Sequence, residues 1–418
     1  MLDSDLDEEL TRLREGVRGA LPLPAFEQVV ARHKQRVVRR RMQIGAAVAV
    51  LVVSLAIPLL RGQLVPDPKP PAAPPDTSVV PTGPFFNDVD FFDADHGYAI
   101  RTTCKSGNAR KCTGELLATS DGSHWEQRPL AKPESAPSWS RGSLEVLGPE
   151  ELTIDWGLFE NVHIHRTHSV DGGRTWQTVD VPDVVTDTVS EIPENASLVW
   201  TCAQLVGGGT TCAERGFAVL LPGSGRSALL ANQPHLNAMV AGEVPMLDGR
   251  WWVAGRDPQT NSWSLAISAD NGRSWTTTKL GFRGSVDYLG WSVASSGGTL
   301  YASAIGPLPN TSNGLAAIFR STDGGRTWQQ TWQPADGKEP RRVLQNPVPG
   351  ENGSLTINTP ASTTYTSGDG GRTFEPAKRS YGDYAYRTAG GFVSVSTDAS
   401  EAVDFSPDGI DWWRIKIG

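Results

Sequence analysis

The sequence predicts an all-β chain, a seven-bladed β-propeller, preceded by an N-terminal α-helical region and one transmembrane helix. Three observations carry the propeller. An eight-residue unit, Ser321-Thr322-Asp323-Gly324-Gly325-Arg326-Thr327-Trp328, recurs along the last three quarters of the 418 residues. Its copies are spaced at one structural period. The chain is rich in turn formers, with 44 Gly and 30 Pro, which leaves little room for long helices after the N-terminal portion.

Three copies keep the full length, at Ser169 to Trp176, Ser268 to Trp275 and Ser367 to Phe374. Two are one residue shorter, Thr119 to Trp125 and Ser406 to Trp412. The pattern reads as a self-bonded turn: Ser and Asp oxygens hold nearby backbone N–H groups, Gly takes positive φ, and the aromatic enters the next strand. The structural residues expected from it are Asp121, Trp125, Asp171, Trp176, Asp270, Trp275, Asp323, Trp328, Asp369, Phe374, Asp408 and Trp412. The aspartates stand 50, 99, 53, 46 and 39 residues apart, so one turn is missing or decayed near residue 220. There, Leu220 to Ser227 still reads as strand, Gly-rich turn, strand. A period of roughly 40 to 50 residues with several short strands is a propeller signature.

Residues 1–41 carry nine Lys+Arg and seven Asp+Glu, whereas residues 62–418 carry 28 and 39, a net of −11. So acidic a domain argues against nucleic acid as a partner. Leu2, Leu6, Leu10, Leu13 and Val17 lie on one helical stripe, which Pro22 and Pro24 interrupt. This segment reads as a charged helical tail; nothing in it names a cytoplasmic partner. Residues 42–60 have no charge, and as a helix would span about 28 Å, enough to cross a bilayer. Six Lys/Arg stand within ten residues before Met42, against Arg61 and Lys69 beyond, so the tail is expected in the cytoplasm and the remainder exported from the plasma membrane as a single-pass protein. A cleaved signal peptide is disfavoured by the long leading segment and the lack of a small-x-small site near Leu60. Residues 61–84, with Pro66, Pro68, Pro70, Pro71, Pro74 and Pro75, read as a semi-rigid spacer.

Residues 85–418 then divide into seven units, at 85–130, 142–181, 190–235, 236–282, 285–334, 340–378 and 381–418. The first is Phe85 to Phe92, a turn through Asp93 and Gly97, Tyr98 to Arg101, Glu115 to Thr119, the recurring turn, and Trp125 to Leu130. The last strand stops near the C-terminus, so the ring is expected to close by packing of the last blade on the first. Cys104/Cys112 and Cys202/Cys212 each flank a loop within one blade; an even count on the exported side favours two local disulfides over four free thiols.

These units resemble those of the Asp-box (BNR repeat) propellers, the superfamily that contains sialidases. The aromatic strand, Asp-x-x-x-Gly-aromatic-Ala turn and Thr/Ser-x-Asp-Gly-x-x-Trp order is similar to the photosystem II assembly factor group within it. The resemblance implies the fold over residues 85–418. It leaves function open among glycosidases, glycan binders, sorting receptors and assembly factors. A sialidase-type site would need an Arg-Ile-Pro element, an arginine triad, a Tyr nucleophile with a Glu partner and an Asp acid/base. Arg101 follows Ile100 but leads into Thr102, and Arg174, Arg273, Arg326 and Arg372 all lie inside Asp-boxes. Tyr381, Tyr384 and Tyr386 with Asp383 are the only local Tyr and carboxylate cluster, read as strand packing. His163, His165 and His168 are read as incidental on a surface strand rather than as metal ligands, and Asp93-x-Asp95-x-Gly97 as a β-turn rather than a calcium loop. No cofactor is expected. The function expected is a binding or assembly module for a protein or glycan partner on one face of the ring; the alternative is a membrane-tethered exo-glycosidase of the sialidase type.

Overall fold

The computed structural model describes residues 83–104, 112–131, 142–156, 164–205, 212–282, 290–308, 311–335, 339–341, 343, 347–350, 352–359, 363–382, 384–389, 391–395 and 402–417. The predicted tail (1–41), membrane helix (42–60) and nearly all of the spacer (61–84) lie outside them. No described helix is long and apolar enough to cross a membrane.

Seven four-stranded sheets make seven blades. Blade one is β1 (Gly83–Phe91), β2 (Gly97–Cys104), β3 (Cys112–Thr119) and β4 (Glu126–Arg128); blade two is β5 (Gly142–Val146), β6 (Leu152–Trp156), β7 (His165–Ser169) and β8 (Gln177–Val179). Blade three holds β9 (Thr188–Val189), β10 (Ser197–Leu205), β11 (Cys212–Leu220) and β12 (Ser227–Leu230). Blade four is β13 (Asn237–Ala241), β14 (Trp251–Arg256), β15 (Trp263–Ser268) and β16 (Thr276–Lys279); blade five is β17 (Gly290–Ser296), β18 (Thr299–Leu308), β19 (Thr311–Ser321) and β20 (Gln329–Trp332). Blade six is β21 (Val348–Pro349), β22 (Leu355–Asn358), β23 (Thr364–Ser367) and β24 (Glu375–Pro376); blade seven is β25 (Tyr384–Arg387), β26 (Phe392–Val395), β27 (Ala402–Ser406) and β28 (Trp413–Lys416). β1 begins at Gly83, two residues inside the segment predicted as spacer.

Six blades are antiparallel meanders with strands in chain order. Their first strands line the inner ring, with β1 against β5, β13 against β17, β17 against β21 and β21 against β25. On β1, alternation sends Val89 and Phe91 to one face and Asp88 and Asp90 to the other. Both carboxylates are buried and accept from the β5 backbone, Asp88 from Leu144 N and Asp90 from Val146 N, each at 2.9 Å. The ring closes as expected: Val89, Phe91 and Leu117 of blade one pack with Val393, Phe405 and Ile415 of blade seven, and no strand is shared between the two sheets. One end of the ring therefore carries the first-to-second and third-to-fourth strand turns, here the turn face. The opposite end carries the second-to-third strand loops, here the loop face.

Blade three departs from the predicted unit at 190–235. Its order is β10-β11-β12-β9, with β9 running parallel to β12 at the outer edge and no described strand inside β10. The decayed turn, Leu221 to Arg226, still occupies the position of an Asp-box. A Cβ on Gly225 would meet His168 of blade two, as one on Gly173 would meet Leu116 of blade one.

Candidate functional site

The turn face is consumed by its own bonds. In blade two, Ser169 Oγ donates to Asp171 Oδ1 (2.9 Å) and accepts from Gly173 N (2.9 Å). Asp171 Oδ1 accepts from Arg174 N and Thr175 N, and Oδ2 from Thr175 Oγ1 (2.6 Å). The same Ser, Asp and Ser/Thr bonds repeat at Asp270, Asp323 and Asp369. In the shorter copies, Asp121 accepts from Ser123 N and His124 N, and Asp408 from Ile410 N and Asp411 N. Hydrogen bonds from Thr175 and from Thr327 hold Asp171 and Asp323 down at about 2, against an ordinary 3.8. Asp270 is lowered by Ser274 in the same way. These carboxylates are therefore locked as acceptors and unavailable as acids near neutral pH.

The aromatics brace neighbouring blades. Trp176 Nε1 donates to Pro129 O of blade one and Trp275 Nε1 to Asn232 O after blade three. Trp125 meets Phe91 edge-on, Trp328 packs on the blade-four and blade-five core and Phe374 on that of blades five and six. Trp412 stacks on Tyr381 at 4.7 Å. In blade three, which lacks the aspartate, Glu151 of blade two supplies a carboxylate instead, accepting from Gly223 N and lying 2.9 Å from His168 Nε2. His168 is buried, which corrects the surface reading made for it; His165 is half-buried and His163 lies outside the described residues. No cluster of three metal-binding side chains occurs among the described residues. Asp93 Oδ1 accepts from Asp95 N and His96 N, the bonds of a β-turn.

Several residues weighed for the glycosidase alternative have partners of their own. Arg174 and Arg372 donate to the carbonyls of Asp171 and Asp369, and Arg273 pairs with Glu191. Tyr381, its phenol pushed up by burial, carries Arg379 over its ring, and Tyr386 is buried in the seam between blades seven and one. Asp383 and the Tyr384 side chain lie outside the described residues. Cys202 is disulfide-bonded; Cys104 and Cys112 are direct cross-strand partners.

Sequence reasoning missed how the turn face is closed. The link from β13 to β14, nine residues from 242 to 250, contains a tight turn at Met246 to Gly249, where Gly249 has φ 79°. It reaches across the ring. Asp248 N donates to Ser295 Oγ of blade five, and Leu247 packs against Val348, Ala385 and Phe392 of blades six and seven. From blade seven, Arg387 Nε donates to Pro245 O (3.0 Å) and Nη2 to Ala389 O (3.2 Å). Burial lowers the pKa of Arg387 and Asp248 raises it. The unusual length of this link is its only signal in the sequence.

A cleft of about 410 Å³ lies on the loop face between blades three and four, beside Arg215, His235 and Pro258, and one of about 510 Å³ lies at the seam of blades seven and one, beside Asp95, Asp121 and Trp413.

Fold and site together define a seven-bladed β-propeller with a braced turn face, a floor closed by one cross-ring link, and a cleft on the loop face. No family model matches the sequence, and no curated protein matches it. Among solved structures, the chain is similar to YCF48 bound to D1 peptide, with 19% identity over 67% of this chain and 73% of that one and a TM-score of 0.36. It is also similar to YCF48 from Cyanidioschyzon merolae (13%, covering 81% and 97%, TM-score 0.44) and to a Hadza microbial sialidase (14%, covering 80% and 65%, TM-score 0.34). The propeller assignment rests on the seven sheets themselves.

Proposed function

We propose that the chain is a membrane-tethered, extracytoplasmic propeller that acts as a binding or assembly module, holding a protein or glycan partner on its loop face. The observation that carries this reading is the closed floor. The link through Pro245, Leu247 and Asp248 covers the turn-face mouth of the ring, and Arg387 pins it from the opposite blade. The Ser and Asp side chains of the Asp-boxes on that face are held by their own turns. The tether is residues 42–60, with 1–41 in the cytoplasm.

The test uses the full-length chain in its own membrane with a photo-crosslinking residue at Thr260, on the loop face, or at Thr322, on the turn face. Adducts to a partner are expected from position 260; adducts from 322 alone would overturn the assignment. Reporter fusions at the C-terminus should be active only outside the cytoplasm, and cytoplasmic activity would remove the tether topology. For the glycosidase alternative, the chain is expected to leave a fluorogenic sialoside intact. Turnover that vanishes in Tyr381→Phe or Tyr384→Phe would replace the binding-module reading.

A further inference from the structure

In blade three the β10–β11 hairpin runs past its outer neighbour. β12 pairs with β11 through only three positions, Ala218↔Leu229, Val219↔Ala228 and Leu220↔Ser227. At the next residue a side chain stands in for a strand: Gln233 Oε1 accepts from Phe217 N (2.9 Å), and Nε2 donates to Phe217 O (2.8 Å) and Leu230 O (2.6 Å). Along an antiparallel strand, every second residue turns both its N–H and its C=O to the same neighbour. After Phe217, the next such residue on this edge is Arg215, and no described strand runs beside it.

Arg215 opens onto the 410 Å³ cleft, whose other walls include Leu229, Leu236, His235, Asn237 and Pro258. Arg215, His235 and Asn237 are exposed. No lining residue is acidic, although residues 62–418 carry a net charge of −11. An open strand edge gives main-chain hydrogen bonds to an extended segment, and side chains flanking it select the residues of that segment. Here the flanking charge is positive.

We propose that this cleft takes an extended, acidic peptide segment of a partner protein, added as a short strand along the outer edge of β11 with its carboxylates toward Arg215 and His235. The inference rests on the binding-module reading and names its partner chemistry. It is tested by fluorescence anisotropy on the full-length chain in detergent micelles, with three labelled eight-residue probes: alternating valine and glutamate, alternating valine and lysine, and the glutamate peptide N-methylated at alternate backbone nitrogens. The glutamate probe is expected to bind at least tenfold tighter than the other two. Arg215→Gln should weaken it several-fold, and Arg215→Glu should reverse the preference toward lysine, both with an unchanged melting temperature. Equal binding of the N-methylated probe would overturn strand addition, and indifference to Arg215→Glu would overturn the site. A dimer that forms with concentration and excludes the probe would assign the edge to a second copy and overturn the proposal. Failure of all probes, with crosslinking from position 260 intact, sinks this inference and leaves the binding module standing; loss of crosslinking sinks both.

Discussion

Replacing Ser321 by Ala isolates what one Asp-box contributes. Ser321 is buried, and its Oγ accepts from Gly325 N at 3.0 Å and donates to Asp323 Oδ1 at 2.8 Å. Without that oxygen the N–H of the buried Gly325, which lies against Ile267 and Leu300, loses its acceptor. An orphaned buried donor costs about 1 to 3 kcal/mol, so a loss of about 2 kcal/mol is expected. For the roughly 335 residues from 83 to 417, an unfolding entropy of about 2.1 cal/mol/K per residue gives about 0.7 kcal/mol/K, hence a fall in Tm of about 3 °C. Differential scanning calorimetry measures it, with Thr322→Ala, an exposed neighbour, as the control expected within about 0.5 kcal/mol of the parent. A parent-like Tm for Ser321→Ala, or an equal loss in the control, would refute the account of the turn.

Acid should act through the same turns. The folded pKa values of Asp171 and Asp323, about 2, lie below the ordinary 3.8, so their stabilisation is full above about pH 5 and is lost as pH falls toward 2; a Tm unchanged between pH 6 and 2.5 would contradict this. Gly325→Ala puts a Cβ at φ 89° and 3.0 Å from Ile267, whereas Gly223→Ala at φ 77° meets nothing within 4 Å. The second should cost about 1 kcal/mol and the first clearly more, read from urea unfolding. Arg387→Met removes charge-assisted bonds to Pro245 O and Ala389 O; a loss of about 2 to 4 kcal/mol and faster tryptic cleavage at Arg250 are expected, and unchanged proteolysis would show that Arg387 does not pin the link. Non-reducing peptide mapping should recover Cys104 linked to Cys112 and Cys202 linked to Cys212, and recovery of other pairings would remove the local connectivity.

What could be read from the sequence is what lies close along it. Each Asp-box bond joins residues two to four apart, so spacing alone placed Ser169, Asp171 and Thr175 together. The seven-unit count followed from the interval between turns, including the decayed one. The contacts that define the site span far longer separations. Glu151 serves Gly223 from 72 residues away, and Arg387 holds Pro245 from 142. Such pairs exist only once the ring is closed, and no local pattern announces them. His168 was misjudged for the same reason: its burial depends on the next blade's turn. The cleft, likewise, exists because β12 stops at Leu230.

The pairing of Gly83 with Cys104 and of Lys416 with Ala402 puts both ends of the ring on the loop face. On the proposed topology, a tether at residues 42–60 would therefore hold the ring by the side that carries the cleft. Were the 22 residues from 61 to 82 drawn out at about 3.1 Å each, that tether would reach roughly 70 Å. In the proposed topology, a client emerging from the same membrane would meet the cleft within the reach of that tether.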